Sequence, residues 1–89
     1  EFRQIRASYI KKMPQFVDSL SQAIAQQDWQ QVQILIHTLK GTAGSLAFNA
    51  IYTLANDIGQ QLKLSNFAAV IAYFDALKAQ IIEEANNVR

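Results

Sequence analysis

The chain reads as an all-α protein, an antiparallel up-down four-helix bundle with an N-terminal helical extension. Three observations predict this. Apolar residues recur at three- and four-residue spacing along almost the whole length, and no stretch alternates with the period of a strand. The breaks between periodic segments are two to four residues long, which favours antiparallel neighbours. With 89 residues, 51% of them hydrophobic, and a formal net charge of +1, the composition fits one small packed domain rather than a disordered chain.

Each element follows from its own pattern. Phe2, Ile5, Tyr9 and Met13 lie at helical spacing, and Phe16, Val17, Leu20, Ala23 and Ile24 continue it. Pro14 lacks the N–H that an interior helical residue donates, so it suits a helix start or a kink. The expectation is a short helix over residues 1–13 running into, or bent against, the first helix of a bundle over 14–89. Asp28 suits an N-cap for a helix that turns Trp29 inward and runs through His37 to about Phe48. Asn49 is the expected cap of the next helix, whose core stripe is Ile51, Leu54, Ala55, Ile58 and Leu62, with Gly59 weakening it from inside. Ser65-Asn66 forms the following break. The last helix uses Phe67, Val70, Ile71, Phe74, Leu77 and Ile81 and frays after Asn86-Asn87.

The stretch from His37 to Phe48 holds the only histidine and two of the three glycines, in a segment that otherwise reads as helix. Glycine in a helix interior costs roughly 0.5–1 kcal/mol relative to alanine. Two such costs beside a lone imidazole point to a helix face kept bare. At about 100° per residue, Val32, Leu35, Ile36, Leu39, Ala43 and Leu46 fall in one apolar arc, and His37 points roughly 140° from its centre. The outward sector also carries Gln30, Gln33, Ile34, Gly41, Gly44 and Phe48, with Lys40 at its edge. Lys40 and Gly41 are the next-turn neighbours of His37. Ile34 and Phe48 flank this face, either as docking contacts or as a cover for the N-terminal helix. A helix interior holds a reactive side chain more rigidly than a loop does, so the expected site is mid-bundle, on the outer surface, level with Gly59.

Composition excludes several function classes. Eight Lys plus Arg against seven Asp plus Glu leave almost no net field, and Lys11, Lys12, Lys63 and Lys78 are scattered, which argues against a nucleic-acid surface. The absence of cysteine excludes a disulfide framework and a thiolate metal site. No second histidine or paired carboxylate stands near His37, so no metal is expected there. No apolar run approaches the roughly 20 residues that cross a bilayer, and no signal-peptide pattern opens the chain. The expected location is the cytoplasm, without direct membrane contact. Asp57 and the Glu83-Glu84 pair read as solvated charges. No glycine-rich nucleotide loop is present, which sets aside an autonomous kinase.

The order His-x-Leu-Lys-Gly-x-Ala-Gly-x-Leu, here His37, Leu39, Lys40, Gly41, Ala43, Gly44 and Leu46, resembles the histidine-containing phosphotransfer (HPt) domain of bacterial and eukaryotic phosphorelays. The resemblance extends over nearly all of the chain. It implies a phosphocarrier in a multistep His–Asp relay, with His37 accepting a phosphoryl group from a receiver-domain aspartate and passing it to another receiver. Lys40 would be the phosphate-stabilising cation, and Gly41 and Gly44 the small residues that give the partner clearance. Gln33, one turn before His37, reads as a second phosphate contact or as a solvated amide. Ile34 and Phe48 would be docking residues. The implied partners are response-regulator receiver domains, which bring their own Mg²⁺; no cofactor of the chain's own is expected, and a monomer is preferred. A first residue other than methionine fits a module of a hybrid sensor kinase, membrane-anchored or not. The other reading is a non-catalytic adaptor that binds through the Ile34/Phe48 face.

Two positions depart from the family's pattern. A glycine is frequent three positions after Gly44, where this chain has Ala47. Glu or Gln is frequent twenty-two positions after the histidine, bonded to the second ring nitrogen, where this chain has Gly59. Gln60, Asn56 or water is left to orient the ring. The implied chemistry suits the residue type, because histidine titrates near neutrality and is nucleophilic when neutral. The resemblance assigns the attack to Nε2.

Overall fold

Four helices, and no strand, make up the described residues: α1 (Phe2–Ala25), α2 (Trp29–Ser45), α3 (Asn49–Lys63) and α4 (Phe67–Asn87). The computed structural model describes the backbone of residues 2–87 and the side chains of residues 4–86. The core role expected of Phe2, and the fraying expected beyond Asn86-Asn87, lie outside the described residues. Each helix packs on its sequence neighbours, and α1 closes the ring against α4. Three-residue connections between helices this long leave only the antiparallel arrangement, and the long dimension of 39 Å matches the length of α1 at about 1.5 Å per residue.

All three connections are built alike. Gln27, Ala47 and Ser65 adopt positive φ of 57°, 62° and 55°, and each follows a helix end whose carbonyls are recaptured by the turn. The Asp28 N–H donates to the Ala23 carbonyl at 2.9 Å, that of Phe48 to Ala43 at 2.9 Å, and that of Asn66 to Gln61 at 2.9 Å. The left-handed residue thus satisfies the orphan carbonyls and reverses the chain. The residue after it immediately precedes the next helix. Asp28 caps α2, its carboxylate accepting from the Gln31 N–H at 3.3 Å. Asn66 Oδ1 accepts from the Ala69 N–H at 3.4 Å while its amide donates to Gln61 Oε1 at 3.1 Å.

The start of α3 corrects the sequence reading. Phe48, not Asn49, holds the N-cap position, with no side-chain cap bond, and Asn49 is the first helical residue. Phe48 is 0% exposed. Its ring stacks against Tyr9 of α1 at 6.4 Å between centroids, and the Arg6 guanidinium carbon lies 4.5 Å from its centre. Burying a phenylalanine contributes about 1.5–3 kcal/mol, more than the ~1 kcal/mol a polar cap supplies. Phe48 is therefore no docking residue; of the two roles open to it, covering the N-terminal helix is the one observed. Helical spacing misplaced it because α2 ends at Ser45, and positive φ at Ala47 breaks the 100° progression that put residue 48 on the outer face.

The first helix corrects a second expectation. α1 runs unbroken through Pro14, so residues 2–13, the described part of the expected extension over 1–13, are not a separate helix. An interior proline costs about 3 kcal/mol, and Ile10 and Met13 before it and Leu20 after it are all buried, so packing contributes on both sides of it. Ile5 leaves the expected stripe and is 54% exposed, because it lies roughly 140° around the helix from Ile10 at about 100° per residue. Ile71 is likewise exposed rather than core. The rest of the core follows the predicted stripes: Val32, Ile36, Leu39 and Ala43 of α2, Ile51, Ala55 and Ile58 of α3, and Val70, Phe74, Leu77 and Ile81 of α4 are buried. Trp29 is half-buried and stacks on Phe67 with centroids 4.2 Å apart and planes 2° from parallel, joining the starts of α2 and α4.

Ala47 is exposed and sits where an L side chain costs about 1–2 kcal/mol. Ala47→Gly removes that cost and adds about 0.4–1 kcal/mol of unfolded-state entropy. A net stabilisation of about 0.5–1 kcal/mol is expected as a higher urea midpoint with an unchanged slope; an unchanged midpoint would contradict the strained-turn account.

Candidate functional site

The four buried residues of α2 fix its rotation, and His37 is exposed near the middle of the helix as a result. Its ring stands on a ridge between two grooves. On the α1 side, an open groove of about 830 Å³ is walled by Ile5, Ser8, Tyr9 and Lys12 from α1 and by Thr38 and Gly41 from α2. On the α3 side, a smaller cleft of about 100 Å³ is lined by Gln33 and Lys40 from α2 and by Asn56, Gly59, Gln60 and Lys63 from α3. His37 borders both. His37 lies midway along α2 and borders the cleft that Gly59 lines.

The two grooves differ chemically. In the larger one, the Thr38 hydroxyl donates to the Ile34 carbonyl at 3.0 Å and the Thr42 hydroxyl to the Thr38 carbonyl at 3.1 Å. These hydroxyls are engaged by their own helix, and exposed Ile5 gives the wall an apolar element. The smaller cleft brings two ammonium groups and three side-chain amides beside the imidazole, and none of its described lining residues is a carboxylate. Two cations and three amide NH2 groups, with no carboxylate among them, offer donors that suit an oxyanion.

The predicted site residues fall into distinct places. His37, Gln33 and Ile34 are exposed and Lys40 is half-buried. Ile34, 54% exposed, stands one turn before His37 but lines neither groove. Gly41 faces open space, since an added Cβ would meet nothing within 4 Å. Gly44 is exposed on one side, but an added Cβ would lie 3.3 Å from Cδ2 of Tyr52 in α3. The Tyr52 ring also lies under Lys40, whose Nζ is 5.8 Å from its centroid. Gly59 leaves its part of the cleft empty, with nothing within 4 Å of an added Cβ. Asn56 and Gln60 line that cleft and are the amides nearest in chain position to the missing partner of the ring.

Sequence reasoning missed the α1 wall, Lys63 and Tyr52. For Lys63 a signal existed: Asn56, Gly59, Gln60 and Lys63 recur at i, i+3, i+4 and i+7, one polar stripe of α3. For Ile5 and Tyr52 none did, because an apolar or aromatic residue at helical spacing reads as core.

The described residues form a small helical bundle that presents one histidine on its outer wall, between an open groove and a cleft lined by two lysines. A family model of the Hpt domain matches residues 4–87, nearly the whole chain, and the chain belongs to that family. It is a phosphotransfer module of His–Asp phosphorelays, a phosphocarrier without kinase activity of its own, in a family whose members interact with response-regulator receiver domains. No curated protein and no solved structure matches the chain. Among the described residues, no helix is long and apolar enough to cross a membrane.

The glycines separate experimentally. Gly41→Ala is expected to stabilise the domain by about 0.5–1 kcal/mol, because the new methyl group meets nothing. Gly44→Ala should gain less or lose, because its Cβ would press on Tyr52. Equal urea midpoints for the two variants would show that the Tyr52 ring yields without cost.

Proposed function

We propose that His37 is the phosphoacceptor, taking the phosphoryl group from a receiver-domain aspartyl phosphate and handing it to the aspartate of a second receiver. The observation that carries this reading is the exposed ring on the ridge between an open groove and a cationic cleft. The Nε2 lone pair attacks phosphorus in line, the N–P bond forms as the acyl O–P bond breaks, and the aspartate carboxylate leaves with the electron pair. Transfer of this kind depends on positioning and charge neutralisation. Lys40 and Gln33, from the cleft wall, offset and bond the phosphoryl oxygens, while Mg²⁺ comes with the receiver. Gly41 keeps the α1-side groove open for the incoming domain, Ile5 gives the groove an apolar contact, and Ile34 offers one outside it. Reverse transfer to the second receiver uses the same geometry.

The adaptor reading keeps only one of its two anchor residues, because Phe48 lies in the core while Ile34 is exposed.

Incubation with a phosphorylated receiver should give an acid-labile phosphoryl group on the wild-type domain. His37→Gln should abolish it while the helical circular dichroism stays intact. Continued phosphate uptake by this variant would move the phosphoacceptor elsewhere.

Gly41→Leu introduces a branched side chain into the open groove and should slow transfer without unfolding the domain. Unchanged transfer kinetics would remove the clearance role.

A further inference from the structure

Lys40 is a long side chain on a helix surface, and an unrestrained lysine distributes its ammonium over many rotamers. Here it is restrained by a ring from another helix. Tyr52 of α3 places its aromatic face 5.8 Å from the Lys40 Nζ, within the reach of a cation–π contact. The same ring comes within 3.3 and 3.4 Å, at Cδ2 and Cε2, of where a Cβ of Gly44 would stand. Lys40 and Gly44 are i, i+4 neighbours on one face of α2, and one ring covers both. Tyr52 is 40% exposed, and no hydrogen bond of its hydroxyl is needed for this arrangement.

We infer that Tyr52 is a positioning residue for Lys40: its ring, packed beside Gly44 where a Cβ would crowd it, restrains the ammonium of a residue that lines the cleft beside His37. This rests on the phosphocarrier reading and deepens it. It also gives Gly44 a role separate from that of Gly41. Gly41 leaves room for something outside the molecule; Gly44 leaves room for a ring inside it. The entropy of ordering Lys40 is met before phosphorylation, so the cation acts on the dianion at full effect. Lys63, on the opposite wall of the cleft, contributes its own charge whichever residue occupies position 52.

The test uses the domain charged with phosphoramidate, whose P–N bond breaks as the N–P bond to His37 forms and ammonia departs. The acid dissociation of the phosphoryl group is then followed by ³¹P NMR. A nearby cation favours the dianion, so Tyr52→Leu should lower the acid dissociation constant by about two- to five-fold, the scale of an exposed cation–π contact. Tyr52→Phe should restore the wild-type value, because the ring and not the hydroxyl does the holding. In a Lys40→Met background, Tyr52→Leu should have no further effect. An unchanged or opposite shift in Tyr52→Leu, failure of Tyr52→Phe to restore it, or an undiminished effect without Lys40 would each overturn the inference while leaving His37 as the acceptor. A wild-type domain that takes no phosphoryl group would overturn the phosphocarrier reading, and this inference with it.

Discussion

The burial of one face of α2 is the constraint on which the site depends. Val32, Ile36, Leu39 and Ala43 are each almost completely withdrawn from water, and the three larger ones contribute about 1.5–3 kcal/mol apiece. Turning the helix by one residue to shelter His37 would return much of that surface to solvent. The imidazole is thus held outward by the burial of the opposite face of its own helix. No loop has to be ordered to display it.

Around that ridge the bundle divides its labour by helix. α1 supplies a broad wall with Ile5 and Tyr9, suited to a large and partly apolar visitor. α3 supplies a narrow wall with Lys63, Asn56 and Gln60, suited to a small anion. The unbroken passage of α1 through Pro14 matters for the first of these, because a break there would have let the Ile5 end swing away from α2. The clamp of Phe48 between Tyr9 and Arg6 serves the same end. A residue expected at the partner interface instead secures the helix that walls the larger groove.

Most of the fold was legible because each bundle helix carries its own apolar stripe and each break is short. Within α2, angular projection from the sequence placed Gln33, Ile34, His37, Gly41 and Gly44 outward, as observed. It failed at Phe48 because it assumes a constant rotation per residue, and one left-handed residue at Ala47 ends that regularity. It failed at Pro14 because local propensity says nothing of the packing on either side. Ile5 and Tyr52 were illegible for another reason: a ring or aliphatic chain at the edge of a stripe carries no mark of whether a helix or a groove will lie opposite. The departure at Gly59 was legible as a gap, and the structure shows the gap as part of the cleft.

The stacked pair at the far end of the bundle has a practical consequence. Trp29 is the chain's only tryptophan, and it lies eight residues, or about 12 Å along the helix axis, from His37. Its indole lies flat on Phe67, tying two helix starts together. Separation of that end of the bundle would take the indole off the Phe67 ring, so the chain's only tryptophan stands where opening of these two helix starts changes its surroundings.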